Sequence, residues 1–109
     1  MKADEKHVDY LLTELKVGLN GIYGSRLKGL YLYGSYARGE EDEESDLDIL
    51  VILDQFDSYA REIDRTGQLA SDLSVKYGIT VSKVFICEAQ WLQGDTSFLS
   101  NVREEAIPL

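Results

Sequence analysis

Five consecutive apolar residues, Ile49-Leu50-Val51-Ile52-Leu53, limit how this chain can fold more than any other feature. The run is short, apolar at every position and rich in β-branched residues, which predicts a central strand buried on both faces. It is entered through Asp46-Leu47-Asp48. Side chains alternate along a strand, so the two aspartates are expected on one face with Cα atoms roughly 6.5 Å apart. Two carboxylates aimed together at the mouth of a buried strand repel each other. A hard divalent cation removes the conflict, and Mg2+ takes one or two carboxylates together with phosphate oxygens.

A phosphate site is expected just upstream. Leu30-Tyr31-Leu32-Tyr33 reads as another strand, over about 29–34, and Gly34-Ser35 follows it. A glycine lets backbone approach a ligand closely, and amides at a strand-to-turn junction can form an anion-binding nest. If Tyr36-Ala37-Arg38 opens a helical turn, its free N–H groups add to that nest. Arg38 offers fixed positive charge. Phosphate at one end and a metal bridging to it at the other describe a site for a nucleoside triphosphate, ATP or another.

The spacing Gly-Ser, ten residues, Asp-x-Asp resembles the signature of the DNA polymerase β-type nucleotidyltransferase superfamily. The fuller run Gly34-Ser35-Tyr36-Ala37-Arg38-Gly39 with Ser45-Asp46-Leu47-Asp48 is similar to its small prokaryotic members, the minimal nucleotidyltransferases. Phe98 to Glu105 is similar to the usual terminal segment of that group. The resemblance implies the nucleotidyltransferase fold, with Gly34, Ser35, Arg38 and Ser45 at the nucleotide and Asp46 and Asp48 as catalytic and Mg2+-binding residues, in a site with room for two metals. It implies transfer of a nucleoside monophosphate, AMP in the first instance, to a hydroxyl. Such proteins are commonly encoded beside a HEPN-domain partner in toxin–antitoxin pairs, so the expected acceptor is a HEPN toxin and the expected role antitoxin. The family usually supplies a third carboxylate from the strand after the second helix. Here that strand carries no acid: Ser82 stands in its place by position, and Glu88, just beyond the strand, is the nearby substitute. A nucleotide-binding antitoxin subunit with weak or no chemistry is therefore a second reading. An aminoglycoside-type, small-molecule nucleotidyltransferase is a third, disfavoured because 109 residues leave no second domain for an acceptor pocket.

The remaining chain fits one α/β (α+β) domain over 1–109. Asp4 can cap a first helix whose apolar stripe is Val8, Leu11, Leu12, Leu15, Leu19 and Ile22, ending at Gly21 and Gly24. His7 in its first turn reads as a surface residue. Tyr31 and Tyr33 are expected to pack on the sheet, and Tyr36 to pack or to reach the pocket. Residues 40–44, Glu-Glu-Asp-Glu-Glu, read as a solvated acidic loop rather than ligands. A second helix over about 58–77 presents Ile63, Gly67, Ala70, Leu73 and Tyr77, with Gly67 read as a point of close packing. A third strand spans about 79–87, a turn or short helix runs from Glu88 to Gly94, and a last helix near 97–106 ends before Pro108. The order αββαβα predicts a small mixed sheet with helices packed against it, without fixing the sense of each strand pair. Net charge is −9, from 20 acidic against 11 basic residues. That argues against nucleic acid as the main substrate, because phosphate-backbone affinity rests on Lys and Arg. One cysteine, no apolar leader and no membrane-length run predict a cytoplasmic protein.

Overall fold

The protein, seen in a computed structural model, is described from residue 5 to residue 109, so the expected cap at Asp4 lies outside the described residues. In chain order come α1 (Glu5–Tyr23), a 3-10 turn (Gly24–Arg26), β1 (Leu27–Tyr33), α2 (Ser35–Arg38), β2 (Leu47–Leu53), α3 (Tyr59–Tyr77), β3 (Val81–Cys87), α4 (Glu88–Gln93), α5 (Ser97–Glu105) and β4 (Ile107–Pro108). The strands form one mixed sheet in the order β3-β2-β1-β4. β2 runs antiparallel to β1 and parallel to β3, as a helical crossover between them requires. The expected αββαβα order is present, with α2 and α4 as short helices and β4 as an addition. Pro108, expected only to stop the last helix, sits in β4, where Ile107 and Pro108 pair with Leu32 and Tyr31 of β1. Proline is tolerated there because an edge strand needs fewer of its N–H groups.

β2 is the centre, and every residue from Leu47 to Leu53 except Asp48 is buried. Its two faces differ. Leu47, Ile49, Val51 and Leu53 join Leu30, Leu32 and Phe85 against Leu11, Leu15 and Leu19 of α1 and Ala70 and Leu73 of α3. Leu50 and Ile52 face a smaller cluster with Val102 of α5, Trp91 of α4, and Tyr31 and Tyr33. Alternation therefore puts Asp48 on the α4/α5 face, at the N-terminal end of β2. The tyrosines pack as expected: Tyr31 meets Trp91 at 4.9 Å and Tyr33 meets Phe98 edge-on at 5.7 Å.

Three expectations fail for identifiable reasons. β1 begins at Leu27 rather than 29, because a bulge between Leu27 and Gly29 breaks the strand period where a linker was expected. In α1, Ile22 is exposed and Tyr23 takes the core position. In α3 the buried stripe is Glu62, Thr66, Ala70 and Leu73, whereas a Cβ at Gly67 would meet nothing, so Gly67 is not a close-packing point. Two polar residues on that stripe hide it from a hydrophobic pattern. Glu62 is tolerated because its Oε1 accepts from the Tyr23 hydroxyl at 2.7 Å and Arg65 Nε at 3.1 Å. Ser58 caps α3 by accepting from the Arg61 N–H, and Gly78 closes it in the left-handed region at φ +68°. Among the described residues, no helix is long and apolar enough to cross a membrane.

Candidate active site

The site grows out of the β1–β2 hairpin. Where β1 ends, Gly34 adopts φ +77° and ψ −157°, a conformation that side chains rarely permit, and the chain turns into α2. The Gly34 carbonyl accepts the N–H groups of Ala37 and Arg38 at 3.0 and 3.1 Å, which closes the turn. The hairpin returns through the acidic loop, and Leu47 is pinned by donating to the Thr80 carbonyl at 2.8 Å. Register then places Tyr33, Asp48 and Ser82 in one row across β1, β2 and β3.

Gly34 and Asp48 touch. A Cβ built on Gly34 would overlap the Asp48 carboxylate, 3.1 Å from its Cγ and 3.3 Å from its Cβ. The glycine thus serves both the turn and the close approach of an acid. Burial holds the Asp48 carboxyl above the usual carboxylate range, and the charges of Asp46 and Glu105 add to the rise while Arg38 opposes it. Burial, helped by the Asp48 charge, also pushes the Tyr33 hydroxyl up to about 12. Asp46 departs from expectation. It lies one residue before β2 and is exposed, so the strand pleat does not set its direction. Its carboxylate is still near enough to raise Asp48.

The other sequence candidates are distributed unevenly. Ser35 is half-buried at the start of α2, and among the described residues no hydrogen bond engages its hydroxyl. Arg38 is exposed and already paired, through Nη1 to Glu105 Oε2 at 2.8 Å and through Nε to Glu40 Oε2 at 3.0 Å. Ser45 is used locally: its hydroxyl accepts the Asp42 N–H at 3.0 Å and ties the acidic loop. Tyr36 packs against the α1 side of the core and also lines two clefts. One, of about 340 Å³, lies between the acidic loop and the end of α3 and reaches Asp46, Ser45 and Thr80. His7 lines it too, half-buried rather than at the surface, with Nε2 2.9 Å from the Tyr77 carbonyl.

Glu88 is not brought to the aspartates. β2 and β3 are parallel, Ser82 pairs with Asp48, and Cys87 pairs with Leu53. Glu88 follows Cys87 and so lies at the opposite end of the strands, roughly 20 Å from Ser82 by strand rise. Asp54 is also at that far end, bound to Arg26. The row therefore has a serine beside Asp48 where the resemblance leads one to look for an acid. Among the described residues, no three acids, histidines or cysteines are grouped to hold a metal. Asp46 and Asp48 alone are hard oxygen donors, with a like-charge conflict that a cation would relieve, and they fit a Mg2+ that draws its remaining ligands from phosphate. Sequence reasoning gave no role to Glu105, which reaches this turn from α5. Its partners are 71 and 67 residues away in sequence, and no spacing rule connects them.

A sharp glycine turn, a serine hydroxyl and two acids near the start of β2 are the features from which a site for a metal-bound phosphate ester was expected. Comparison with known proteins points the same way. The family model described as nucleotidyltransferase domain matches residues 5–106. A Methanocaldococcus jannaschii relative named as a protein adenylyltransferase is 35% identical over 95 residues, covering 86% of this chain and 89% of the relative. Protein adenylyltransferase MntA of Thermococcus cleftensis is 32% identical over 76 residues, covering 70% and 75%. Among solved structures, a minimal nucleotidyltransferase superposes with a TM-score of 0.62 at 26% identity, covering 96% of this chain and 94% of that one. A toxin–antitoxin structure with AMP-PNP shares the fold, with a TM-score of 0.60 at 21% identity over 86% of this chain and 68% of that one. This chain belongs to the nucleotidyltransferase domain family, and it is a nucleotidyltransferase.

Proposed function

We propose that the protein transfers AMP from ATP to a hydroxyl of a HEPN-domain partner and thereby acts as an antitoxin. The contact between Gly34 and Asp48 carries the reading, because it joins a phosphate-binding turn to a metal-binding acid at one point. Relatives named as protein adenylyltransferases support a protein acceptor, and the neighbouring toxin–antitoxin structure with AMP-PNP supports a nucleotide-binding antitoxin of this fold. The charge of −9 agrees with a protein rather than a nucleic-acid partner.

In this reading Gly34, through its backbone N–H, and Ser35, through its hydroxyl, seat the β- and γ-phosphates, and Arg38 supplies charge beside them. Asp46 and Asp48 would hold Mg2+, which when bound would neutralise charge on the phosphates. The acceptor hydroxyl oxygen bonds to the α-phosphorus, the bond from that phosphorus to the β-bridging oxygen breaks, and pyrophosphate leaves. The hydroxyl proton must also leave. Ser82, level with Asp48, is a poor proton acceptor, and this favours a second reading: a subunit that binds nucleotide and masks its partner with little chemistry.

Incubating the protein with α-labelled ATP, Mg2+ and a purified HEPN-domain partner tests both. Label on the partner supports transfer. A stable complex on size exclusion with no label leaves masking alone, and neither complex nor label sinks both readings. The missing acid has its own test. Ser82→Asp is expected to raise the single-turnover transfer rate by about 10–100-fold with little change in ATP affinity, since it restores a general base where the register calls for one. Glu88→Gln is expected to change neither, because Glu88 is at the far end of the strands.

A further inference from the structure

Glu105, the last residue of α5, takes two of the three donors of the proposed triphosphate seat, leaving the Ser35 hydroxyl. Its Oε1 accepts the Gly34 N–H at 3.3 Å, and its Oε2 accepts from Arg38 Nη1 at 2.8 Å. Its placement is built into the fold. Val102, one turn earlier, is buried in the second core cluster. Arg103 donates to the Gly94 and Trp91 carbonyls, and immediately after Glu105 the chain pairs with β1 as β4, with the Leu109 N–H donating to the Leu30 carbonyl at 2.9 Å. The carboxylate is therefore delivered to Gly34 by anchored backbone on both sides.

Two roles are open to such an acid, and geometry separates them. The third carboxylate that the family resemblance implies would fall beside Asp48 on β3, where the register places Ser82. β1 lies on the opposite side of β2 from β3, and Glu105 arrives over β1. It does not fill the gap at Ser82. It sits at two of the donors proposed to seat the phosphates. A backbone N–H is one donor, and an anion that takes it from Glu105 must also share or take the Arg38 guanidinium, which Glu40 already holds in part. The carboxylate competes by occupying the donors and by repelling phosphate.

We propose that Glu105 sets the affinity of the site: its carboxylate is displaced from Gly34 and Arg38 by incoming triphosphate, so it acts as a brake on nucleotide binding. The inference rests on the nucleotide reading above. Displacement needs only side-chain rotation, because the backbone around Glu105 is held by contacts that do not involve its carboxylate.

Calorimetric titration of wild type, Glu105→Gln and Glu104→Gln with Mg·ATP, and with tripolyphosphate in the absence of metal, tests this. Glu104→Gln removes the same charge from an exposed neighbour that is not at the turn. Glu105→Gln is expected to bind both probes tighter by about tenfold, the scale of one charge-assisted contact relieved at the seat, and Glu104→Gln to match wild type. Glu105→Asp keeps the charge with a shorter reach and is expected to fall between; it carries the test if Glu105→Gln unfolds. Affinity for ATP that is unchanged or weaker in both Glu105 variants, with wild type binding normally, overturns the brake and makes Glu105 a strut for Arg38. Equal tightening in Glu104→Gln reduces the effect to net charge and overturns it too. Failure of all four proteins to bind ATP overturns the nucleotide reading and this inference together.

Discussion

Gly34→Val is expected to abolish nucleotide transfer and to lower the Tm by roughly 10 °C, from a backbone cost of about 2 kcal/mol. Two effects add. The residue holds φ +77°, where a β-branched side chain is strained, and its Cβ would overlap the Asp48 carboxylate. The second effect is the functional one, because either the turn or Asp48 must move and the amide and the acid then part. Gly24→Val separates the two. Gly24 also has a positive φ, +55°, but a Cβ there meets nothing within 4 Å. That variant should lose stability and keep transfer at a temperature where both proteins are folded. Normal ATP binding by folded Gly34→Val would show that the glycine serves the turn alone.

Asp48→Asn is expected to cut the transfer rate by at least about 10³-fold, corresponding to several kcal/mol of lost charge stabilisation at the transferring phosphate. The same change should make the protein more stable. Burial and the neighbouring acids raise the Asp48 pKa in the folded state, so ionising it works against folding. For a carboxyl raised in this way, stability is fully present below the unfolded pKa and is lost as pH rises through the folded one. At pH 7 the asparagine variant escapes that loss. Its Tm is therefore expected to lie above that of wild type at pH 7, and the gap should close as pH falls below the unfolded carboxylate range, about 4. Thermal melts at the two pH values, run beside single-turnover transfer assays, read both effects. A variant that is less stable at pH 7 shows that Asp48 is structurally paired, and one that transfers at the wild-type rate removes it from the chemistry. Asp46→Asn should lose activity similarly with a smaller stability gain, because its charge supplies only part of the rise at Asp48 and burial supplies more.

The contrast shows what was legible in the residues. Ile49 to Leu53 announced a central strand because an apolar run with no polar face has one outcome in a small mixed sheet, and Leu47 to Leu53 are buried as that reasoning requires, apart from Asp48. Gly34 and Asp48 were legible as a pair because a hairpin brings nearby residues together. Ser82, read by position as standing where an acid was expected, lies level with Asp48 because β2 and β3 pair in a parallel register that the sequence alone left open. Glu88 was misjudged because nearness to a strand's end in sequence says nothing about which end of the sheet is meant, and parallel pairing puts it at the wrong one. Asp46 was assigned to the pleat although β2 begins one residue later. Glu105 and β4 could not be inferred, since their contacts with β1 depend on how α5 packs and on no local pattern.

The hairpin that joins β1 to β2 has a consequence for the order of assembly. Its two halves are separated by one short loop, whereas Glu105 meets Gly34 across 71 residues. Short loops cost little entropy to close, and long ones are closed late. On a ribosome the Gly34 turn and Asp48 therefore emerge and can pair while the segment that carries Glu105 is still unsynthesised. A nascent chain stalled after β3 would carry Gly34 and Asp48 side by side without the Glu105 carboxylate that accepts the Gly34 N–H in the finished fold.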